Sequence, residues 1–265
     1  MRIGRQASPH TAISTADAHS ITIRGKDLCS ELMGKYDFVD FYHFLLTGAD
    51  ATPAQSRLLN AALVAIAEHG LTPTVQAARM TYDADPAALQ GAVAAGILGA
   101  GTVVMGTSEL CGRFLHDIVS TQQATGEPLA AVVAEKLAQH KAARQTVPGY
   151  GHPLHGAGDP RTARLLELAA ELEVRGPYLD ALFAVEEAIP AVYGRKLPIN
   201  ASGSIPAVLL AAGFPLGALK GIPILARTAG LLAHLFEEAS RPIGFLMAEH
   251  ADQAIGYDGP PASAR

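Results

Sequence analysis

Apolar residues recur at three- and four-residue steps along most of the chain, the spacing that places them on one face of a helix. The pattern is clearest in 161–174 and in 54–69, which Thr52-Pro53 precedes as a start signal and Gly70 follows as a stop. The same spacing predicts further helices at 37–47, 86–98, 108–121, 127–143, 178–188, 203–212 and 225–239. Only 19–24 alternates as a strand does. The predicted fold class is therefore all-α, with functional residues in the loops between helices.

Residues 87–107 carry no charge over a length that would span a bilayer. About half of them are Ala or Gly, and the flanks hold neither an aromatic belt nor a basic cluster. Small residues suit helices that pack closely in a protein interior. We therefore predict a core helix rather than a membrane span.

The composition narrows the range of partners. The chain has 265 residues, enough for one large domain or for a domain with a small lobe. Apolar residues make up 49% and charged residues 17%, with a mean hydropathy of +0.20, so some apolar surface is expected between subunits. A net charge of −5 without a Lys/Arg run argues against nucleic acid or an anionic membrane as a partner.

The cysteines and the first residues bear on location. Cys29 and Cys111 lack the spacing of a metal site or a redox pair, and reduced thiols fit a reducing compartment. Residues 1–19 hold no apolar stretch of the kind that signal peptides contain, so secretion by that route is not expected. A cytoplasmic location is predicted.

The segment 147–161, VPGYGHPLHGAGDPR, is too rich in Gly and Pro for regular structure. Gly149 and Gly151 let the backbone approach a ligand and adopt positive φ angles, and the prolines stiffen the loop that presents His152. Histidine exchanges protons with a hydroxyl or carbonyl near neutral pH. Arg161, nine residues later at a helix start, favours a carboxylate. Together they indicate a site for a small hydroxy- or keto-carboxylate.

Two other interpretations of the loop remain open at this point. His152 and His155 with Asp159 could form part of a metal site, but Pro153 breaks the helical spacing and no fourth ligand is evident, so no metal is expected. The loop could also be purely structural, with one hydrogen-bonded histidine.

Motifs in chain order resemble the citrate synthase superfamily. GYGHPLHGAGDPR (149–161) is similar to its G-x-G-H…D-P-R loop, with the nine-residue step from histidine to arginine retained. The other matching segments are ITIRGKDLCSEL (21–32), AEHGLTPTVQAAR (67–79), ARTAGLLAHLFEE (226–238) and AIGYDGP (254–260). The ordered set covers nearly the whole chain and is far more specific than any one motif.

The short chain is most similar to the citryl-CoA lyase branch, a relative of the C-terminal module of ATP-citrate lyase. The resemblance implies a citrate synthase-like all-α fold with a large and a small helical domain in a two-fold dimer. It places the large domain at 1–140 and 216–265, and the small domain, with the 147–161 loop, at 141–215.

The resemblance also implies roles for individual residues. His152 would contact the keto or hydroxyl oxygen of the substrate as the catalytic histidine. His69, Arg79, Arg161 and Arg227 stand on substrate-binding positions, where they would hold carboxylates.

Two positions depart from the family pattern. A second histidine, which contacts the thioester oxygen, is replaced by Met105 or Val104. The proton-transferring aspartate is replaced by Ser202, and no acidic residue occurs between Lys196 and Glu237. A serine hydroxyl does not act as a general base unaided, because its pKa lies far above neutral. The catalytic assignment of Ser202 is therefore positional.

The remaining candidates concern coenzyme A. Lys141, Arg144 and Gln145 precede the loop and are candidates to contact CoA phosphates, while Gly149 and Gly151 allow backbone to approach the thioester. The CoA thioester is expected as a substrate, with no permanently bound cofactor.

The resemblance favours a carbon–carbon lyase that cleaves citryl-CoA, or a similar 3-hydroxyacyl-CoA, to acetyl-CoA and oxaloacetate. One alternative is a homologue that binds CoA esters or hydroxy-carboxylates without efficient turnover. A second is a purely structural helical dimer. The expected partners are small-molecule substrates and a second copy of the chain.

Overall fold

The computed structural model describes residues 9–151 and 158–260, and this part of the chain is mainly helical. The predicted helical fold class is confirmed, with a small N-terminal sheet as the addition. The helices are α1 (Phe38–Thr47), α2 (Pro53–Ala67), α3 (Pro73–Ala84), α4 (Leu89–Leu98), α5 (Thr107–Thr125), α6 (Leu129–Ala142), α7 (Pro160–Glu171), α8 (Pro177–Tyr193), α9 (Ala201–Ala211), α10 (Gly221–Glu238) and α11 (Gly244–Ala254).

The sheet is an antiparallel meander of three short strands, β1 (Ser14–Ala16), β2 (Ile21–Ile23) and β3 (Lys26–Asp27). Its order is β1-β2-β3, and Ser14 pairs with Ile23 across the first ladder. A single π-helical turn follows at Leu28–Leu32. The predicted strand at 19–24 is confirmed as β2, whereas β1 is exposed at all three residues and β3 has only two, so no apolar alternation marks either strand.

Local signals explain where the helices begin. Thr52 caps α2 by accepting from the backbone N–H of Gln55, whose side chain accepts from Thr52 in return. Pro53 then occupies the first turn, as predicted. Asp159 caps α7 in the same way, by accepting from the backbone N–H of Arg161. This cap positions Arg161 in the first turn of α7.

Helix α9 is the centre of the main hydrophobic core. From Ala201 to Leu210 every residue except Ser202 is buried, because α5, α7, α8 and α2 pack around it. A second, smaller cluster lies where α10 packs on α3 and α4; it consists of Val75, Ala78, Ala92, Leu231 and Leu235. The single half-exposed position in the first turn of α9 is thus the one that opens toward a cavity.

The predicted domain boundary between residues 140 and 141 stays a prediction. It falls inside α6, and α6 packs on α8, which the sequence assigned to the small domain. The main core also joins Leu58 of α2 with Leu182 of α8. The division into a large and a small domain likewise stays a prediction.

The uncharged segment 87–107 is not one continuous core helix. Helix α4 ends at Leu98, and turns follow up to α5; Leu98 and Val103 are 86% and 88% exposed. Among the described residues, only Leu216–Glu238 is long and apolar enough to cross a membrane by length and composition. A core helix passes the same test, and α10 packs against α2, α3 and α4.

Candidate active site

A cavity of about 520 Å³ lies where the end of α2, the turns before α5, the 146–151 loop and the starts of α7, α9 and α10 meet. It brings together most of the predicted catalytic and substrate-binding residues that the structure describes. Its lining includes His69, Gly149, Gly151, Arg161, Ser202 and Arg227. His152 and His155 fall within 152–157, outside the described residues.

The floor of the cavity is made of backbone. The N–H of Asn200 donates to Gly149 O at 3.0 Å, and the N–H of Gly151 donates to Pro198 O at 2.7 Å. Gly149 has φ +88°, and a Cβ there would lie 2.7 Å from the Cα of Gly203. A side chain at either Gly149 or Gly203 would clash with the other backbone, so this close approach requires glycine at both positions. The loop and the first turn of α9 therefore form one rigid unit.

Asp159 anchors Arg161 at the edge of this unit. The guanidinium donates to Asp159 Oδ1 at 3.0 Å and Oδ2 at 2.8 Å, and the N–H of Ala201 donates to the same carboxylate at 3.1 Å. Burial alone would raise the pKa of Asp159, but these hydrogen bonds and the Arg161 charge lower it to about 2. Asp159 is therefore ionised and bound to an arginine.

Arg227 enters the cavity from α10 and is 6% exposed. Its Nη atoms make only long contacts, each 3.4 Å, with Thr72 Oγ1 and Ile66 O, and its Nε has no hydrogen-bond partner among the described residues. Burial lowers the pKa of Arg227; Glu68 opposes this shift and the Arg161 charge adds to it. Arg227 forms no ion pair among the described residues and lies near a second cation, so an anionic ligand would add to the compensation that Glu68 gives.

The cavity contains no acidic group among its described lining residues. Ser202 stands in the first turn of α9, where its N–H donates to Asn200 Oδ1 at 2.9 Å. Val104 and Met105, from the turns before α5, also line the cavity, and Met105 adopts a positive φ of 73°. The positions of the family's aspartate and second histidine thus face the same cavity with side chains that do not titrate.

Arg79 does not line the cavity, so the structure does not bring it together with the other predicted substrate-binding residues that it describes. It is 1% exposed, and its guanidinium is bound by Glu237 and Glu238 and by Nδ1 of His234. These acids lie more than 150 residues away in sequence, so the motif that contains Arg79 gave no sign of them.

A second cavity of about 430 Å³ adjoins the first and shares Val147, Tyr150 and Gly151 with it. All three predicted CoA-contacting side chains, Lys141, Arg144 and Gln145, line it. Arg195, in the loop after α8, adds another cation that the sequence analysis did not select. The first cavity thus presents arginines and no acidic side chain among its described lining residues, and the second cavity, beside it, presents several basic side chains.

The chain is thus a helical protein whose cavity is lined by two arginines and, among its described residues, by no acidic side chain. The family model for the C-terminal domain of citrate synthase matches residues 9–244. The chain therefore belongs to the citrate synthase family.

Curated relatives and solved structures agree with this assignment. The citrate synthase-like protein oryE of Aspergillus oryzae is 30% identical over 185 residues, 68% of this chain and 39% of that protein. Citrate synthase 2 of Bacillus subtilis is 24% identical over 208 residues, 77% of this chain and 52% of that protein. The chain thus spans about half the length, or less, of these two relatives.

The solved citryl-CoA lyase from Hydrogenobacter thermophilus matches with a TM-score of 0.85 and 31% identity, over 97% of this chain and 96% of that one. ATP citrate lyase from Methanothrix soehngenii, in complex with citrate and coenzyme A, matches with a TM-score of 0.76 and 21% identity. That match covers 98% of this chain and 43% of that one, and at this identity it shows the fold alone.

Proposed function

We propose that the protein is a citryl-CoA lyase-like enzyme that cleaves citryl-CoA, or a similar 3-hydroxyacyl-CoA, to acetyl-CoA and oxaloacetate. The observation that carries the proposal is the pair of guanidiniums, Arg161 and Arg227, in one cavity without an acidic lining residue among those described. The similarity to the Hydrogenobacter lyase over nearly the full length of both chains supports it.

The carboxylates of the substrate would be held by the arginines and His69. The buried donors of Arg227 make only long contacts with neutral oxygens, so a substrate carboxylate would replace these contacts by charge-assisted hydrogen bonds. Arg161 keeps its orientation through Asp159 and presents its remaining donor capacity to the ligand. Binding energy from these groups fixes the four-carbon part of the substrate before the bond breaks.

Cleavage needs a base at the tertiary hydroxyl. By resemblance, His152 removes that proton, the hydroxyl oxygen becomes the ketone of oxaloacetate, and the bond from its carbon to the acetyl methylene breaks. The bonding electrons form the enolate of acetyl-CoA, whose carbon then takes a proton from water. Solvent can supply this proton, so a cavity with Ser202 in place of an aspartate suits cleavage better than condensation.

The CoA portion would extend into the second cavity. Lys141, Arg144 and Arg195 provide positive charge for phosphates, and Gln145 provides a neutral donor. The shared backbone at Tyr150 and Gly151 would then lie beside the thioester, at the boundary of the two cavities.

The acid-free cavity favours a second candidate function. Without a carboxylate at position 202, the chain would bind CoA esters or hydroxy-carboxylates with little turnover, in a regulatory or altered-substrate role. Loss of a general base typically costs about 10²–10⁴-fold in rate.

We further propose that the protein acts as a homodimer in the cytoplasm. Phe236 of α10 and Phe245 of α11 are 85% and 68% exposed, which is costly in water and suits a subunit contact. Cys29 and Cys111 are both unpaired, as in a reducing compartment.

The test is to follow acetyl-CoA and oxaloacetate release from citryl-CoA by the wild type and by Arg227→Gln. The variant is expected to lose at least about 10-fold in kcat/KM, because a charge-assisted contact is removed. Arg164→Gln is the matched control: Arg164 lies on α7, three residues from Arg161, and pairs with Glu167 and Glu171 on the exposed surface.

The outcomes separate the candidates. Release by the wild type that Arg227→Gln weakens and Arg164→Gln leaves intact supports the lyase. Binding of oxaloacetate without release favours the second candidate. Activity that survives both Arg227→Gln and His152→Ala contradicts the assigned site.

A further inference from the structure

The environment of Arg79 fixes the tautomer of His234. Nε and one Nη of Arg79 both donate to Nδ1 of His234, at 3.1 and 2.7 Å, while Glu238 and Glu237 bind the Nη groups from the other side. Arginine has only donors, so Nδ1 must accept and carries no hydrogen. The ring proton of neutral His234 is therefore on Nε2.

The Nε2 side of the ring lies next to Glu68, directly after α2. His234 Nε2 lies 2.9 Å from Glu68 Oε2, and Glu68 Oε1 accepts from the backbone N–H groups of His69 at 2.8 Å and Gly70 at 2.6 Å. The carboxylate thus holds the turn that leads from α2 into the cavity lining.

A close helix contact keeps these groups in register. Gly230, one turn before His234, lies against the end of α2, where a Cβ would come within 2.1 Å of Ala67 O. Because no side chain separates the two backbones, His234 reaches Glu68 without distortion of either helix.

The same helix supplies a cavity residue. Arg227 precedes His234 by seven residues, which is two turns on one face of α10. It donates to Thr72 Oγ1 at 3.4 Å, and Thr72 and His69 both line the cavity. One face of α10 therefore contacts both ends of the 68–72 segment.

We propose that Arg79, His234 and Glu68 form a positioning relay that holds residues 68–72 against Arg227 and so sets the affinity for the carboxylates of the ligand. None of the three lines the cavity, and each acts through another residue. The inference rests on the proposed function, in which oxaloacetate is a ligand.

Nitrogen NMR of histidine-labelled protein tests the relay without turnover. His234, assigned by its loss in His234→Ala, is expected as the neutral Nε2–H tautomer at neutral pH. An Nδ1–H tautomer would overturn the proposal, because Arg79 could not then donate to that nitrogen.

Calorimetric titration tests the positioning role. His234→Ala and Glu68→Gln are each expected to weaken oxaloacetate binding at least about 10-fold, the loss of one hydrogen bond to a charged group. CoA affinity should be unchanged, because the relay contacts no residue of the second cavity. The double variant should lose little more oxaloacetate affinity than the single variant with the larger loss, because both substitutions interrupt the same chain of contacts.

Two further variants complete the design. His234→Gln keeps one acceptor and one donor, and is expected to bind oxaloacetate more tightly than His234→Ala. Asp50→Asn is the control, because it breaks the 2.9 Å pair with Lys26 and neither residue lines the cavity. Glu68 is 45% exposed in its side chain, so Glu68→Gln tests the proposal even where His234→Ala does not fold.

The failures are distinguishable. Unchanged oxaloacetate affinity in both folded variants overturns the relay alone. Equal loss of CoA and oxaloacetate affinity also overturns it, since that is the result of general misfolding. No oxaloacetate binding by the wild type overturns the proposed function and, with it, the positioning role.

Discussion

Gly149→Ala should destabilise the protein more than any other single methyl group added to the cavity loop. The new Cβ would lie 2.6 Å from Cys111 Sγ and 2.7 Å from the Cα of Gly203, and φ at this position is +88°. A left-handed residue with a side chain costs about 1–2 kcal/mol, and overpacking a core adds about 1–3 kcal/mol. The expected loss is roughly 2–5 kcal/mol, a large part of the about 5–15 kcal/mol that a typical domain has.

Urea unfolding followed by far-ultraviolet circular dichroism measures this loss, at one fixed protein concentration because a dimer would make the midpoint concentration-dependent. Gly194→Ala is the matched control: Gly194 has φ +71° but no atom within 4 Å of a Cβ. It should lose only the backbone term of about 1–2 kcal/mol.

The comparison also shows which contact matters. Replacing Cys111 by Ala in the Gly149→Ala background should restore only part of the stability, because the clash with Gly203 backbone remains. If Gly149→Ala is no more destabilising than Gly194→Ala, the close approach of the loop to α9 does not contribute to stability, and the argument for a rigid floor fails.

Substitutions at Asp159, which binds Arg161, and at Ser202, which replaces the family's aspartate, give two further tests. The pKa of Asp159 is held at about 2, below its ordinary value of 3.8, so Asp159 stabilises the fold above pH 3.8 and loses that effect as the pH falls through about 2. Asp159→Asn should therefore flatten the fall in stability over this acid range, as measured by urea unfolding; an unchanged slope would contradict the low pKa. Ser202→Asp should speed hydrogen–deuterium exchange at the methyl group of acetyl-CoA by about 10²–10⁴-fold, measured by mass spectrometry. Unchanged exchange would mean that residue 202 does not face the reacting carbon.

Most helices follow from the spacing of apolar residues, but α3 and α11 were not predicted. In α3 the buried face includes Thr74 and Arg79, so polar residues interrupt the apolar stripe. In α11 only Gly244 is buried, so no stripe exists. The periodicity of apolar residues indicates only the burial of apolar side chains. It therefore does not predict α3 and α11, which are held by contacts of other kinds.

The candidate site was predictable where its residues belong to local motifs. Arg161 followed from the chemistry of the 147–161 loop, whereas Arg227 and Ser202 came from the family resemblance. All three line one cavity, and their roles toward a substrate stay predictions. The position of Arg79 outside the cavity could not be predicted, because its partners, Glu237 and Glu238, are distant in sequence. The role of Asp159 was missed although it directly precedes Pro160, because its bond to Ala201 depends on how α7 meets α9.

The glycine-to-glycine contact under the cavity separates the protein's architecture from its chemistry. Main chain sets how the loop at Gly149 lies against the first turn of α9, since no side chain intervenes between Gly149 and Gly203, and the Asp159 carboxylate joins Arg161 to the same turn. Substitutions at Ser202 or Met105 can therefore alter which proton moves while the substrate stays seated in the same place. A fold built this way can exchange one reaction for another through single residues, without rebuilding the pocket that recognises the acid.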